Sequence, residues 1–505
     1  MILFVNPRAT RPENRRFPLA VMAVGAALPA GIDWEVVDGN LPGLDVLSDL
    51  ASRIEARRSG PDPVRAVAFT VMPGPQLLAA VPLTRELKRR YPNLPMVWGG
   101  NFPSLYPAPL LNAPYVDWLV RGQGEHTFAD LMDVLDEKRD PKTVAGLAFR
   151  DADGTHWIGP ERRWVGLNAL PAPPYHKINV DDYLHPTFLG RRAGVYQASI
   201  GCPFGCNFCA VISVYGRREA QESPARTAAH LSFLSRSHGM DSVHFYDNNF
   251  FLGESHAREL AERIAPLGLR WWAEGRVDVL ARYSPDTWKR LRRAGLTTIF
   301  CGAESGSDAV LRKMNKNITT AEILEVAARS REHGIIPEFS FIFGDPDEPA
   351  RQIENTLAFI RRLKAVNPDI EIVRYFYTPT PQRRGTYGNV EAVDCTPATL
   401  EEWTRPEWLA WMTHEDPRVP WLDRILKARV DDFELVLKSR FPSRHDWRTR
   451  RWGKTLGQVL ARRRWQRGEY ADPRILRAVR RWAQVVPEDR QAYGHLRPAA
   501  PSAVA

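Results

Sequence analysis

Cysteine is scarce: the 505 residues hold five, an odd number, and three of them fall within eight positions. That pattern excludes a disulfide framework and favours metal ligation in a reducing compartment. No stretch of about 18 apolar residues, the length a membrane-spanning helix needs, is present. The opening MILFVNPRATRPENRR lacks the basic start, long apolar run and small-residue cleavage site of a secretion signal, so the cytoplasm is the expected location. A charge excess is also missing from most of the chain. The net +10 arises from the end, where residues from Arg440 onward carry 16 Lys and Arg against 5 Asp and Glu, leaving about −1 for the first 439. A basic surface over the whole protein is thereby excluded.

With 44% hydrophobic and 25% charged residues the chain should fold, and its length calls for two to four domains. Residues 1–140 alternate short apolar runs with helix-like stretches, predicting a doubly wound (Rossmann-like) α/β domain with strands at Ile2–Val5, Trp34–Val37, Ala66–Val71, Met96–Trp98 and Trp118–Val120. Residues 141–190, rich in Pro, Asp and Gly, read as a connecting segment with a hairpin at Asp153-Gly154. Residues 191–388 read as six strand-plus-helix units, with strands near 196–200, 242–245, 269–272, 298–301, 339–343 and 370–375, the pattern of a partial (β/α)6 barrel. Ser284-Pro285 starts one of its helices and a Thr319/Glu322 capping box starts another. Residues 389–505 read as a basic, Trp-rich helical domain, with apolar faces at Leu456-Val459-Leu460 and Ile475-Leu476-Val479-Trp482.

The three clustered cysteines form Cys202-x3-Cys206-x2-Cys209, directly after the first barrel strand and so at the end where barrels bind ligands. Three thiolates serve three irons of a [4Fe-4S] cube and leave the fourth iron open. Zinc would want a fourth ligand, and the next candidates, His230 and Cys301, are far along the chain.

This triplet, with Phe208 before the last cysteine, resembles the signature of the radical S-adenosylmethionine (SAM) superfamily. The resemblance implies that the open iron binds SAM and that an electron, from a flavodoxin- or ferredoxin-like donor, cleaves it to a 5′-deoxyadenosyl radical. It also implies SAM contacts elsewhere: Gly302 and Glu304 in the G-x-E-S-G-like loop, with Glu304 on the ribose; Asp247 and Asn248 near the amino-acid moiety; and Arg276 on the carboxylate. Cys301 reads as a small buried residue.

The order of domains, with Gly99-Gly100-Asn101-Phe102-Pro103 and Arg121-Gly122-Gln123-Gly124-Glu125 closing the first, resembles the cobalamin-binding (class B) radical SAM enzymes. Thr70, Gly99, Gly100 and Gly122 are the candidate cobalamin contacts, at turns where backbone approaches the ligand. The D-x-H-x-x-G motif that supplies a histidine to cobalt is absent; His126 stands alone before residue 150. Cobalt without a histidine ligand is therefore implied.

Tyr375, Tyr377 and Cys395 are the candidate catalytic side chains. Trp447, Trp452, Trp465 and Trp482 alternate with arginines in the tail. That alternation reads as a solvated basic helical face ahead of nucleic-acid binding, with an anionic substrate or carrier protein as the remaining option. The expected function is cobalamin-dependent methylation of an unactivated carbon, or phosphorus, in a small-molecule intermediate. A cobalamin-dependent radical SAM cyclase or oxidoreductase is the alternative within enzymes, and a non-catalytic iron–sulfur sensor or RNA-binding protein the alternative outside them.

Overall fold

A computed structural model describes residues 1–378, 396–416, 419–446 and 451–482; Cys395 lies outside them. Strands β1 (Ile2–Asn6), β2 (Trp34–Asp38), β3 (Ala66–Thr70), β4 (Met96–Gly99) and β5 (Trp118–Val120) form a parallel sheet in the order 2-1-3-4-5. Apolar residues on both faces explain why: Ile2, Phe4, Ala68 and Val97 pack on one side, Leu3, Val5, Phe69 and Trp98 on the other. The strand order reverses between β1 and β3, the place where such sheets open a ligand crevice.

The Asp153-Gly154 hairpin does not stand apart as a connector. Its strands β6 (Leu147–Arg150) and β7 (His156–Ile158) continue the first sheet, β6 pairing antiparallel with β5. Ala148 is fully buried in the domain core, so this sheet extends to residue 158.

The second sheet is the open barrel. Its strands are β8 (Ala193–Tyr196), β11 (Ser242–Phe245), β12 (Arg270–Gly275), β13 (Leu296–Glu304), β14 (Ile336–Phe343) and β15 (Glu371–Phe376), all parallel and in chain order. The strand expected over 196–200 breaks in two. After β8 the chain shifts to β9 (Ser199–Gly201), which pairs antiparallel with β10 (Glu219–Gln221) and so closes the base of the cysteine loop. Both helix signals hold: the Ser284 side chain accepts from Thr287 N, and Thr319 and Glu322 cap reciprocally.

The described part of the C-terminal region packs in two places. Helices Leu400–Trp403 and Pro406–Met412 bury Leu400, Trp403, Leu409, Trp411 and Met412 in the core of the first domain. Trp403 lies edge-on to Phe102, 5.3 Å between centroids, and 4.7 Å from Tyr106. Helices Arg424–Arg440, Arg451–Arg467 and Arg474–Trp482 instead cover the barrel through Val430, Phe433, Val436, Ala461 and Leu476. Of the apolar faces expected here only Leu476 is buried; Leu456, Val459, Ile475 and Trp482 are exposed. On the second of these helices the fully buried contact is Ala461, with Leu460 and Trp465 partly buried against the same core.

Candidate active site

The cysteine loop is tied down by the segment after β13. Asn207 N donates to Met314 O (3.2 Å), Asn207 Nδ2 to Lys313 O (2.9 Å), and Asn315 Nδ2 to Gly205 O (2.6 Å). The three cysteines open on a cavity of about 380 Å³. Its walls also hold Phe208, Asn248, Arg276, Gly302 and Glu304, five of the six residues expected around SAM, together with Tyr375 and Tyr377.

Asp247 is the exception. It is wholly buried behind the break between β8 and β9, where its Oδ2 accepts from Ala198 N (3.2 Å), and it is not part of the cavity wall. The backbone freed by that break needs an acceptor, and Asp247 supplies it. Burial pushes its carboxyl up to about 7. The next residue, Asn248, reaches the cavity while its Oδ1 accepts from Gly201 N (2.9 Å). Cys301 faces away from the cavity and is fully buried.

Two buried cations approach the loop. Arg276, at the end of β12, donates to Cys206 Sγ at 3.3 Å, and Lys316 pairs with Glu304 at 3.0 Å. Ser340 Oγ donates to the other Glu304 oxygen (3.3 Å). Gly302 makes room for that ion pair, since a Cβ there would lie 1.9 Å from Glu304 Oε1 and 2.6 Å from Lys316 Nζ. Asn249 Nδ2 points at Cys202 Sγ, 3.9 Å away.

This donor set fits a [4Fe-4S] cluster. Three thiols share one cavity, with cationic groups and an amide donor beside them to balance thiolate charge. Among the described residues no three His, Cys, Asp or Glu converge closely enough for a single metal ion. A cube does not require that, because each thiolate takes a different iron. Burial pushes the Cys202 and Cys209 thiols up, Cys209 to about 12, so cluster assembly must displace protons.

A second cavity, about 310 Å³, lies over the carboxyl ends of β3, β4 and β5. Thr70, Gly99, Gly100 and Gly122 all line it, with an apolar wall that includes Leu19, Val24, Phe128 and Leu170. No histidine is among its described walls. Gly100 has φ +98°, and a Cβ there would come within 2.8 Å of Val71 O. Exposed backbone at strand ends and an apolar wall suit a large planar cofactor with a nucleotide tail. Met72, Asn101 and Tyr215 border both cavities, so the two adjoin.

Residues 8–132 match the B12 binding domain and residues 196–360 the radical SAM superfamily. The chain thus carries a B12-binding domain followed by a radical SAM domain. It is 28% identical over 371 residues to an uncharacterized methyltransferase of Pyrococcus horikoshii, covering 73% of this chain and 77% of that one. It is also 28% identical over 403 residues to the anaerobic magnesium-protoporphyrin IX monomethyl ester cyclase of Synechocystis, covering 75% of each. Among solved structures, the radical SAM methyltransferase TsrM of Kitasatospora setae, with tryptophan and a SAM analogue bound, shares the fold at a TM-score of 0.59 and 20% identity, over 75% of this chain and 73% of that one. Among the described residues no helix is long and apolar enough to cross a membrane.

Sequence reasoning missed Lys316, Ser340 and Glu274. Glu274, on β12, lies two residues before Arg276 and lines the cysteine cavity with it. The described residues give its carboxyl no hydrogen bond or ion pair. Burial, then repulsion from Asp247 and Glu338, pushes it up to about 8 against the pull of Lys316. The folded chain therefore holds this proton more tightly than the unfolded chain. Its stabilising effect is complete below the ordinary glutamate value of 4.5 and is lost as pH rises through about 8. Thermal unfolding from pH 5 to 9 should show wild type losing stability relative to E274Q, on the order of a few kcal/mol by pH 9. Parallel curves for the two proteins would sink this assignment.

Proposed function

We propose that the chain is a cobalamin-dependent radical SAM enzyme that methylates an unactivated carbon, or phosphorus, of a small-molecule intermediate in the cytoplasm. The observation that carries this reading is the adjoining of two cavities, one walled by the three cysteines and the other by the glycine turns of the B12-binding domain. When bound, the cluster and SAM would supply a 5′-deoxyadenosyl radical, and cobalamin the methyl group.

The residues divide the work. Cys202, Cys206 and Cys209 would hold the cluster. Glu304, paired with Lys316, would accept from the ribose hydroxyls of SAM. Phe208, Asn248 and Gly302 would border the same ligand. Thr70, Gly99, Gly100 and Gly122 would let backbone approach cobalamin, leaving cobalt without a histidine. Tyr375 and Tyr377, with Phe300 and Ile342, would form an aromatic and apolar wall against the substrate and exclude water from the radical. A flavodoxin- or ferredoxin-like protein would deliver the electron.

Anaerobic purification with added cobalamin should give about four irons and about one cobalt per chain. Iron without cobalt would overturn the two-cofactor reading. Ring closure or oxidation with the same cofactors is favoured by one observation, the 28% identity to a cyclase over three quarters of both chains. Products separate the two, since methylation yields S-adenosylhomocysteine together with 5′-deoxyadenosine and the radical step of a cyclase yields only the latter.

A further inference from the structure

The sequence resemblance puts Arg276 on the carboxylate of SAM, but in the structure all three guanidinium nitrogens are engaged by protein atoms, one of them the sulfur of Cys206. Nη1 donates to Cys206 Sγ (3.3 Å), Nη2 to Lys316 O (2.6 Å) and Nε to Asp278 Oδ1 (3.0 Å). The guanidinium also lies 3.7 Å from the centroid of the Phe204 ring, inside the loop between Cys202 and Cys206. Only 5% of the residue is exposed.

The charge balance around it is uneven. Lys316 is matched by Glu304 at 3.0 Å. The carboxylate facing Arg276, that of Asp278, is shared with Arg282 at 3.2 Å. Arg276 is thus the less compensated of the two cations, and it is the one that touches a cluster ligand. An arginine keeps its charge at any working pH. A donor on a ligand sulfur withdraws electron density, and a buried positive charge favours the more negative member of a redox couple.

We propose that Arg276 is a positioning residue that raises the reduction potential of the cluster through Cys206. This rests on the reading that the three cysteines hold a [4Fe-4S] cluster. The step concerned is a one-electron transfer: the cluster gains one electron and an external low-potential reductant loses one.

The test is an EPR-monitored redox titration of the full-length, iron-loaded protein without SAM, using titanium(III) citrate as reductant. R276Q removes the charge and the stacked fork. At a fixed ambient potential its ratio of reduced to oxidised cluster should fall at least tenfold, a shift of ~59 mV for one electron. D278N removes the opposing negative charge and should move the ratio the other way. Iron and sulfide equal to wild type with an unmoved or raised potential in R276Q would overturn the proposal. If R276Q fails to load iron, D278N decides: a raised potential supports the proposal, and an unchanged or lowered one overturns it. Wild-type protein that takes up no iron would instead overturn the cluster reading on which the proposal rests.

Discussion

A chain carrying serine at positions 202, 206 and 209 together is expected to lose its iron, from about four per chain to background, and with it all SAM cleavage. Serine oxygen is a harder donor with a far higher pKa than thiol, so it surrenders its proton to iron poorly. The loss should be confined to the cofactor. The three residues sit in a loop closed by β9 and β10. None of the three belongs to the barrel core of Val243, Trp271, Ile299, Phe339 and their neighbours. Far-ultraviolet circular dichroism should therefore match wild type while iron and sulfide assays fall to blank. Retained iron would transfer the metal to other ligands and remove the basis for the proposed function.

Valine at position 100 is expected to do the reverse, clearing cobalamin and leaving iron in place. Gly100 has φ +98° and ψ −166°, a region that only glycine occupies without strain of about 1–3 kcal/mol. Its added Cβ would meet Val71 O at 2.8 Å and Val71 N at 3.0 Å, both main-chain atoms of the strand end that cannot swing aside. The turn must move, and the wall of the second cavity moves with it. Elemental analysis after anaerobic loading should show a fall of about tenfold in cobalt per iron. Gly154→Ala is the control, because it also has positive φ and open space around its Cβ but stands in the β6–β7 turn, outside the walls of both cavities. Equal cobalt in G100V and wild type would remove the glycine turn from the cofactor's surroundings.

Features that depend on near neighbours in the chain were legible in the sequence. The first five strands, five of the six barrel strands and the Thr319 cap each announce themselves by local apolar runs or by a side chain three residues from its partner. So did the Asp153-Gly154 turn, whose residues cannot say which sheet the hairpin will join. Asp247 stood where a loop motif would put a ligand contact. Its neighbour Asn248 does reach the cavity, but the place of Asp247 depends on backbone freed by a strand break 49 positions earlier. Lys316 carries no motif; it acquires meaning from Glu304, brought to it by the turn after β13. The least legible part was residues 400–412. Two short helices rich in tryptophan have no extended periodicity, and their partners, Phe102 and Tyr106, lie about 300 positions away.

Those helices also govern when the protein is finished. The first sheet is complete in sequence by residue 158, yet part of its apolar surface waits for Trp403 and Trp411. About 250 further residues must be translated before they arrive, roughly 10–50 s at ordinary elongation rates. During that interval the nascent B12-binding domain shows a hydrophobic flank to whatever surrounds the ribosome. A chain ending near residue 160 should therefore be chaperone-dependent and poorly soluble. The barrel lies between the two halves of that contact in the chain, so all six of its strands are translated before the flank of the first domain is covered.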